Sequence, residues 1–252
     1  MKPAWLAVAL IVLIAPACRA QSHDSMPGMA GMSGADSADR HAAVAADEAM
    51  SGPMRADPHM VMTPHRPPAA GDSTRAAALV AAMRRDLARF KNVDSATANG
   101  YRPLFPGVPQ PVYHFTNLFN ALEERLRFDP ARPTSLLYRR DPSGTYVLVG
   151  AMYDDAPDTP LDELDARVPL SIAHWHRHVN WCLPPRGAPE RWREMKDGHP
   201  VFGPKSPIAT AEACAAVGGR FVPHLFGWMV HVNAFLDDSA AVWGDAHGGT
   251  EP

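Results

Sequence analysis

Residues 171–182 read S-I-A-H-W-H-R-H-V-N-W-C, and histidine occupies every second position from His174 to His178. The β-branched and aromatic residues around these histidines favour an extended strand. Alternate side chains of a strand point to the same face, whereas residues two apart on a helix diverge. The spacing therefore predicts a strand that lines His174, His176 and His178 along one face.

A His-x-His step on a strand can chelate a metal ion, because two imidazoles two residues apart can tilt toward one point. A third imidazole from an adjacent strand, about 5 Å away, would complete the set. Two other strand candidates carry histidine: residues 111–116 contain His114, and residues 221–235 contain His231, with His224 assigned to a loop and left out of the set. We therefore predict a metal centre drawn from five histidines: His114, His174, His176, His178 and His231. The alternative is a polar strand face with three solvated histidines.

The first part of the chain has the pattern of a bacterial secretory signal. A single early cation, Lys2, precedes an apolar run over residues 4–14 that is too short to span a bilayer. Small residues then lead to Cys18, which a lipoprotein signal would lipidate, although such signals usually carry a larger aliphatic residue where Ala15 stands. We expect residues 1–18 to direct export to the periplasm or outer membrane, with a lipid on Cys18 as the only membrane contact. Plain cleavage after Ala17 or Ala20 is the alternative.

Residues 19–72 form a low-complexity segment of Ala, Gly, Ser, Asp, Pro, His and Met. Large aliphatic and aromatic residues are nearly absent, so burial could not offset the entropy of ordering, and we predict a disordered tether. Thioethers suit Cu(I) and imidazoles accept Cu(I) or Cu(II), so a flexible chain could wrap several of them around an ion. The segment resembles the Met- and His-rich stretches of exported copper-resistance proteins. Its predicted capture residues are Met26, Met29, Met32, His59, Met60 and Met62; a plain spacer is the alternative.

Cysteine parity predicts one disulfide. The chain has three cysteines, Cys18, Cys182 and Cys214, and lipidation or removal of Cys18 leaves a single pair. Exported proteins fold in an oxidising compartment, so we predict a Cys182–Cys214 disulfide that closes a loop of about 30 residues and contributes about 3 kcal/mol. Two buried free thiols are the alternative.

Residues 73–237 are predicted to form one globular α+β domain. Helical spacing of apolar residues marks residues 75–91, and shorter helices are predicted at residues 93–99, 117–127 and 210–217. Strands at residues 135–140 and 145–154 are joined by the turn sequence D-P-S-G, which predicts a hairpin. We expect a small, mostly antiparallel sheet of about five or six strands with helices packed on one side, and a frayed C-terminus over residues 238–252.

The core resembles a group of exported bacterial proteins that has no agreed activity. The shared motifs are Y-H-F-T-N, F-D-P-A-R-P, V-G-A-M-Y, W-H-x-H-x-N-x-C and W-M-x-H-V, spread over about residues 86–235. The fourth motif begins one residue after His174. The resemblance implies that the following residues belong to the shared pattern: His114, His176, His178, Cys182, Cys214 and His231.

Three functions fit these features. The first is an exported protein that binds and buffers copper, with zinc as the alternative metal. The second is a zinc or copper enzyme whose metal-bound water needs a nearby carboxylate, for which Glu123 and Glu124 are candidates. The third is a structural or interaction domain without a metal, although no protein partner is indicated. A net charge of −3 and the lack of a basic, aromatic-rich run give no sign of nucleic-acid binding.

Overall fold

The computed structural model describes residues 57–104, 106 and 110–244, and all of them belong to one compact unit. The predictions for the signal at residues 1–18, for lipidation of Cys18 and for capture by Met26, Met29 and Met32 lie outside the described residues. So do those for residues 245–252.

Five α-helices lie in the described part of the chain, and none of them is long and apolar enough to cross a bilayer. They are α1 Asp72–Asp86, α2 Val93–Ala98, α3 Leu118–Glu124, α4 Leu161–Arg167 and α5 Ala211–Ala216. Short 3-10 helices cover Ala88–Lys91, Pro189–Arg193 and Ser239–Val242. The long predicted helix over residues 75–91 is therefore divided between α1 and the first 3-10 helix.

Ten strands complete the described elements. They are β1 Met60–Met62, β2 Arg102–Pro103, β3 Tyr113–Thr116, β4 Ser135–Arg140, β5 Tyr146–Asp155, β6 His176–Leu183, β7 Met195–Lys196, β8 His199–Pro200, β9 Arg220–His224 and β10 Trp228–Val232. Eight of them form one antiparallel sheet in the order β1-β6-β10-β5-β4-β3-β2, with β9 also paired to β6. The predicted α+β class and the antiparallel sheet are confirmed, with more strands than expected.

Strands β9 and β10 behave as one bent strand. Both run antiparallel to β6, where Val179 pairs with His224 and His176 pairs with Met229. Gly227 lies at the bend, and a Cβ atom there would come within 1.8 Å of the Asp155 carbonyl oxygen. Only glycine allows β10 to approach β5 this closely.

One face of the sheet packs against the helices. Its side chains form a single buried cluster with Leu79, Met83 and Leu87 from α1 and its C-terminal end. The strand residues in this cluster include Phe115, Leu136, Ala151, Tyr153, Trp228, Val230 and Val232, and Trp175 joins them from the position just before β6. The opposite face carries the histidines.

Both ends of the folded domain extend beyond the predicted limits. The predicted tether reached residue 72, yet β1 pairs with β6, and the Arg66 guanidinium bonds Asp72 at 2.6 Å and Asp165 at 2.7 Å. At the other end, the Asn233 backbone N–H donates to the Val242 carbonyl at 2.8 Å. Residues 57–72 and 239–244 are therefore part of the packed structure.

The predicted disulfide is present between Cys182 of β6 and Cys214 of α5, and both residues are fully buried. Gly219 lies against it, where a Cβ atom would stand 2.5 Å from the sulfur of Cys182 and 2.8 Å from that of Cys214. The disulfide fixes α5 to the C-terminal half of β6, the strand that carries His176 and His178.

Replacing both cysteines, as Cys182→Ala with Cys214→Ala, should lower the free energy of unfolding by roughly 3–4 kcal/mol, since the bond closes a loop of 32 residues. Urea unfolding followed by tryptophan fluorescence measures this loss. Wild-type protein held in reductant is the matched control and should unfold at nearly the same urea concentration as the double variant. An unchanged midpoint in the double variant would contradict the expectation.

Candidate metal centre

The strand register brings histidines of β6 and β10 onto one face. His176 and His178 lie two residues apart on β6 and therefore point the same way. Met229 of β10 pairs directly with His176, and His231 follows two residues later on the same strand. His176, His178, Met229 and His231 consequently share the face that lies opposite the helices.

His114 reaches these residues from β3, three positions away from β10 in the sheet. A flat sheet would separate the two strands by about 14 Å. The ring centroids of His114 and His231 are nevertheless only 5.7 Å apart, so the sheet curls toward the histidine face. Gly150 of β5 assists this approach, because a Cβ atom there would lie 2.2 Å from the Val232 carbonyl oxygen.

The four imidazoles form a continuous buried group, which we call the histidine cluster: His114, His231, His176 and His178. Adjacent ring centroids lie 5.7, 5.1 and 6.1 Å apart in that order. None of the four residues is more than 6% exposed. Trp181 and Phe226 contact the His178 ring by its edge, at 5.6 and 6.1 Å.

The spacing of adjacent rings is close to that of two imidazoles that bind one ion. With metal–nitrogen bonds of about 2.0–2.1 Å, two tetrahedrally placed imidazoles would have their centroids roughly 5 Å apart. Within the described ranges, however, no three histidine, cysteine, aspartate or glutamate side chains are already arranged to hold a metal. The terminal torsion of histidine is broad, so an imidazole ring can rotate while its strand stays in place.

His174, the remaining predicted ligand, lies apart from the described contacts of this cluster. It precedes the first residue of β6, and its ring stacks on His65 with the centroids 3.6 Å apart. Its Nδ1 is 2.7 Å from the Thr63 carbonyl oxygen. The structure thus brings four of the five predicted histidines together and places His174 against residues 63–65.

Two methionines on the same face were not among the ligands predicted from the sequence. Met229 pairs with His176, and Met152 of β5 pairs with His231. Both methionines are buried and pack together with Leu137. The M-x-H spacing of Met229 and His231 was a usable signal, because two residues apart on a strand means the same face.

A second polar group, made of buried Glu124 and Thr134 and half-buried Asp154, lies farther along this face. Asp154 of β5 pairs with Met229, which stands between it and His176. The Thr134 hydroxyl bonds both the Asp154 carboxyl and, at 2.6 Å, the carboxyl of Glu124. A hydroxyl has one proton to donate, so one of the two carboxyl groups must supply the other hydrogen.

The environment of these carboxyl groups agrees with a shared proton. Burial, together with the nearby charge of Asp154, raises the pKa of Glu124 well above its ordinary value of 4.5. Burial likewise raises the pKa of Asp154 above 3.8. Glu123, the other predicted carboxylate, is instead exposed and bonds Arg132 at 2.6 Å. Of the two candidates, only Glu124 belongs to a buried network near the histidine face.

The described residues thus contain a buried histidine cluster, two buried methionines beside it, and a carboxyl pair beyond Met229. Comparison with protein-family models, with curated proteins and with solved structures gives no match for the chain. A function for this molecule therefore has to follow from the chemistry of its own residues.

The variant Glu124→Gln should change how stability depends on pH. Because its pKa is raised in the folded state, Glu124 keeps its proton when the unfolded chain begins to lose it near pH 4.5. The free energy of unfolding of the wild type should therefore fall as pH rises above that value, by up to about 1.4 kcal/mol per pH unit. Urea unfolding from pH 4 to pH 8 should show that the free energy of unfolding of the variant falls less with rising pH than that of the wild type.

Glu123→Gln is the matched control for that experiment, because Glu123 is exposed and adjacent in sequence. Its stability should follow the wild-type pH curve. If Glu124→Gln also ran parallel to the wild type across the whole range, the raised pKa of Glu124 would be refuted.

Proposed function

We propose that this chain is an exported metal-binding protein that handles or buffers copper in the cell envelope through the histidine cluster, with zinc as the alternative metal. The observation that carries the proposal is the continuous group of four buried imidazoles from three different strands. Neighbouring centroids are 5.1–6.1 Å apart, close to the separation of two imidazoles that bind one ion.

The burial of the cluster supports a metal over a purely structural role. Polar rings are costly to take out of water, and apolar side chains would fill a sheet face at less cost. Neutral imidazole is the form that binds metal ions.

The neighbouring methionines support copper over zinc. Met229 and Met152 place soft thioethers directly across from His176 and His231. Thioethers select Cu(I), while imidazoles accept either oxidation state of copper, and Cu(II) outcompetes Zn(II) at imidazole sites. A mixed set of this kind suits a protein that holds copper in a compartment where its oxidation state changes.

Enclosure of the cluster supports holding an ion over turnover of a substrate. The rings are nearly inaccessible, and storage or delivery needs no open coordination position. The enzyme alternative would take its general base from the Glu124–Asp154 pair. Met229 separates that pair from His176, so a metal-bound water at His176 would not lie directly against it.

Export to the envelope is supported by two independent features. The Cys182–Cys214 disulfide suits an oxidising compartment. The apolar run and small residues before Cys18 suit a secretory signal. Attachment to the membrane through a lipid on Cys18 is part of the same proposal.

The double variant His176→Ala with His178→Ala should lose the core metal ion. The mature chain, and a shorter chain that starts at residue 57, would be equilibrated with Cu(I), Cu(II) or Zn(II) and analysed for bound metal after gel filtration. We expect about one retained copper ion per shorter chain, and affinity at least about 100-fold lower in the double variant. An intact Cys182–Cys214 bond and unchanged near-ultraviolet circular dichroism would show that the variant is folded.

The matched control is His199→Ala with His224→Ala, which removes two exposed histidines from the same domain. It should retain the metal like the wild type. Metal retention by the His176/His178 variant would show that the ligands are wrong. Stoichiometric zinc with an exchangeable water would favour the enzyme, and no bound metal in any chain would favour a structural domain.

A further inference from the structure

Strand β1 comes from the Met- and His-rich segment and lies at the edge of the sheet, beside the histidine strand. Its register pairs Met60 with His178 and Met62 with His176. Residues paired in this way point to the same face, with Cβ atoms about 4.5–5.5 Å apart. Both methionines therefore lie on the histidine face, next to the two rings of the His-x-His step.

The burial of these residues follows the same alternation. Met60 is 7% exposed and Met62 is half-buried, and the two side chains pack against each other. Val61, between them, points the other way and is 37% exposed. The two residues of β1 that share the histidine face therefore carry sulfur, and the residue that points away does not.

Several bonds hold β1 in this register. The Val179 N–H donates to the His59 carbonyl at 2.8 Å, and the Thr63 N–H donates to the Trp175 carbonyl at 2.8 Å. The buried His59 ring has Nδ1 3.0 Å from the Asn180 carbonyl oxygen and Nε2 2.6 Å from that of Ser206.

Asn180 takes a left-handed backbone conformation, with φ of 59°, and contributes one of the two carbonyl groups that face His59. The Arg66 guanidinium, which bonds both Asp72 and Asp165, fixes the segment on its other side.

These contacts separate the roles of three residues predicted to capture metal. Both nitrogens of His59 lie against carbonyl oxygens, so its ring serves as an anchor. Met60 and Met62 instead face His178 and His176. We propose that Met60 and Met62 supply thioether ligands that, with His176 and His178, form a two-nitrogen, two-sulfur site for Cu(I) or its analogue Ag(I).

The donor set explains the choice of ion. Thioethers and neutral imidazoles carry no charge, so the buried site would gain the single positive charge of Cu(I) with no carboxylate among its four ligands. Soft thioethers bind Cu(I) and Ag(I) far better than Zn(II). The edge strand thus gives the centre its preference for the monovalent ion, and this inference rests on the proposed copper-binding function.

The test uses the mature chain with Met60→Leu and Met62→Leu, since leucine preserves apolar volume and strand pairing better than alanine. Competition with a Cu(I) chelator should show affinity at least about tenfold lower than in the wild type, while the affinity for Cu(II) remains unchanged. Met195→Leu, at an exposed position of β7, is the matched control and should bind Cu(I) like the wild type.

A direct readout is the ¹³C methyl resonance of each methionine during titration with Ag(I), with Met60 and Met62 assigned from the single leucine variants. Both resonances should shift with the first equivalent of Ag(I). Unshifted resonances, or wild-type Cu(I) affinity in the double leucine variant, would overturn the role of Met60 and Met62.

The same titration separates this inference from the proposed function. If the His176/His178 variant loses the ion but the leucine variant binds normally, the result supports the histidine centre and refutes the role of Met60 and Met62 as ligands. If neither the wild type nor any variant binds copper or silver, both the proposed copper-binding function and the proposed role of β1 are refuted.

Discussion

The antiparallel pairing of β6 with β1 on one side and β10 on the other determines where the histidine side chains of this structure lie. His176 lies between Met62 on one side and Met229 on the other. Because side chains alternate along a strand, a shift of the register by one residue would turn the histidines toward the helices and the apolar residues toward the opposite face. The large apolar cluster against α1 prevents this slip, so the hydrophobic core also fixes the position of the imidazoles.

Curvature of the sheet is the second requirement for a site. His114 and His231 belong to strands that a flat sheet would keep far apart, and their rings meet only because the sheet curls toward them. Two glycines allow the necessary backbone contacts. Gly150 leaves room for the backbone of Val232, and Gly227 leaves room for the carbonyl of Asp155. These positions have a structural role that composition alone does not reveal.

The sequence predicted the fold class, the disulfide and the strand that carries His176 and His178. These features depend on local patterns: alternation along a strand, turn residues between two strands, and cysteine parity. The prediction from sequence was wrong for a short segment that has little intrinsic preference for a strand or a helix. Residues 57–72 lack the apolar content of a core element, yet β1 is held by pairing with β6, by the His59 ring and by Arg66. Pairing with a partner strand can order a segment that would not order by itself.

The sequence by itself determined which histidine and methionine side chains are present as candidate ligands. Alternation along a strand also determined that His176 and His178 share one face. Only the tertiary structure decided that His114 and His231 join them, that His174 stacks on His65 instead, and that Met60, Met62, Met152 and Met229 stand opposite the rings. The reason is physical. Contacts between distant strands depend on strand order, register and sheet curvature, which arise from the packing of the whole core and leave no periodic signal in the chain.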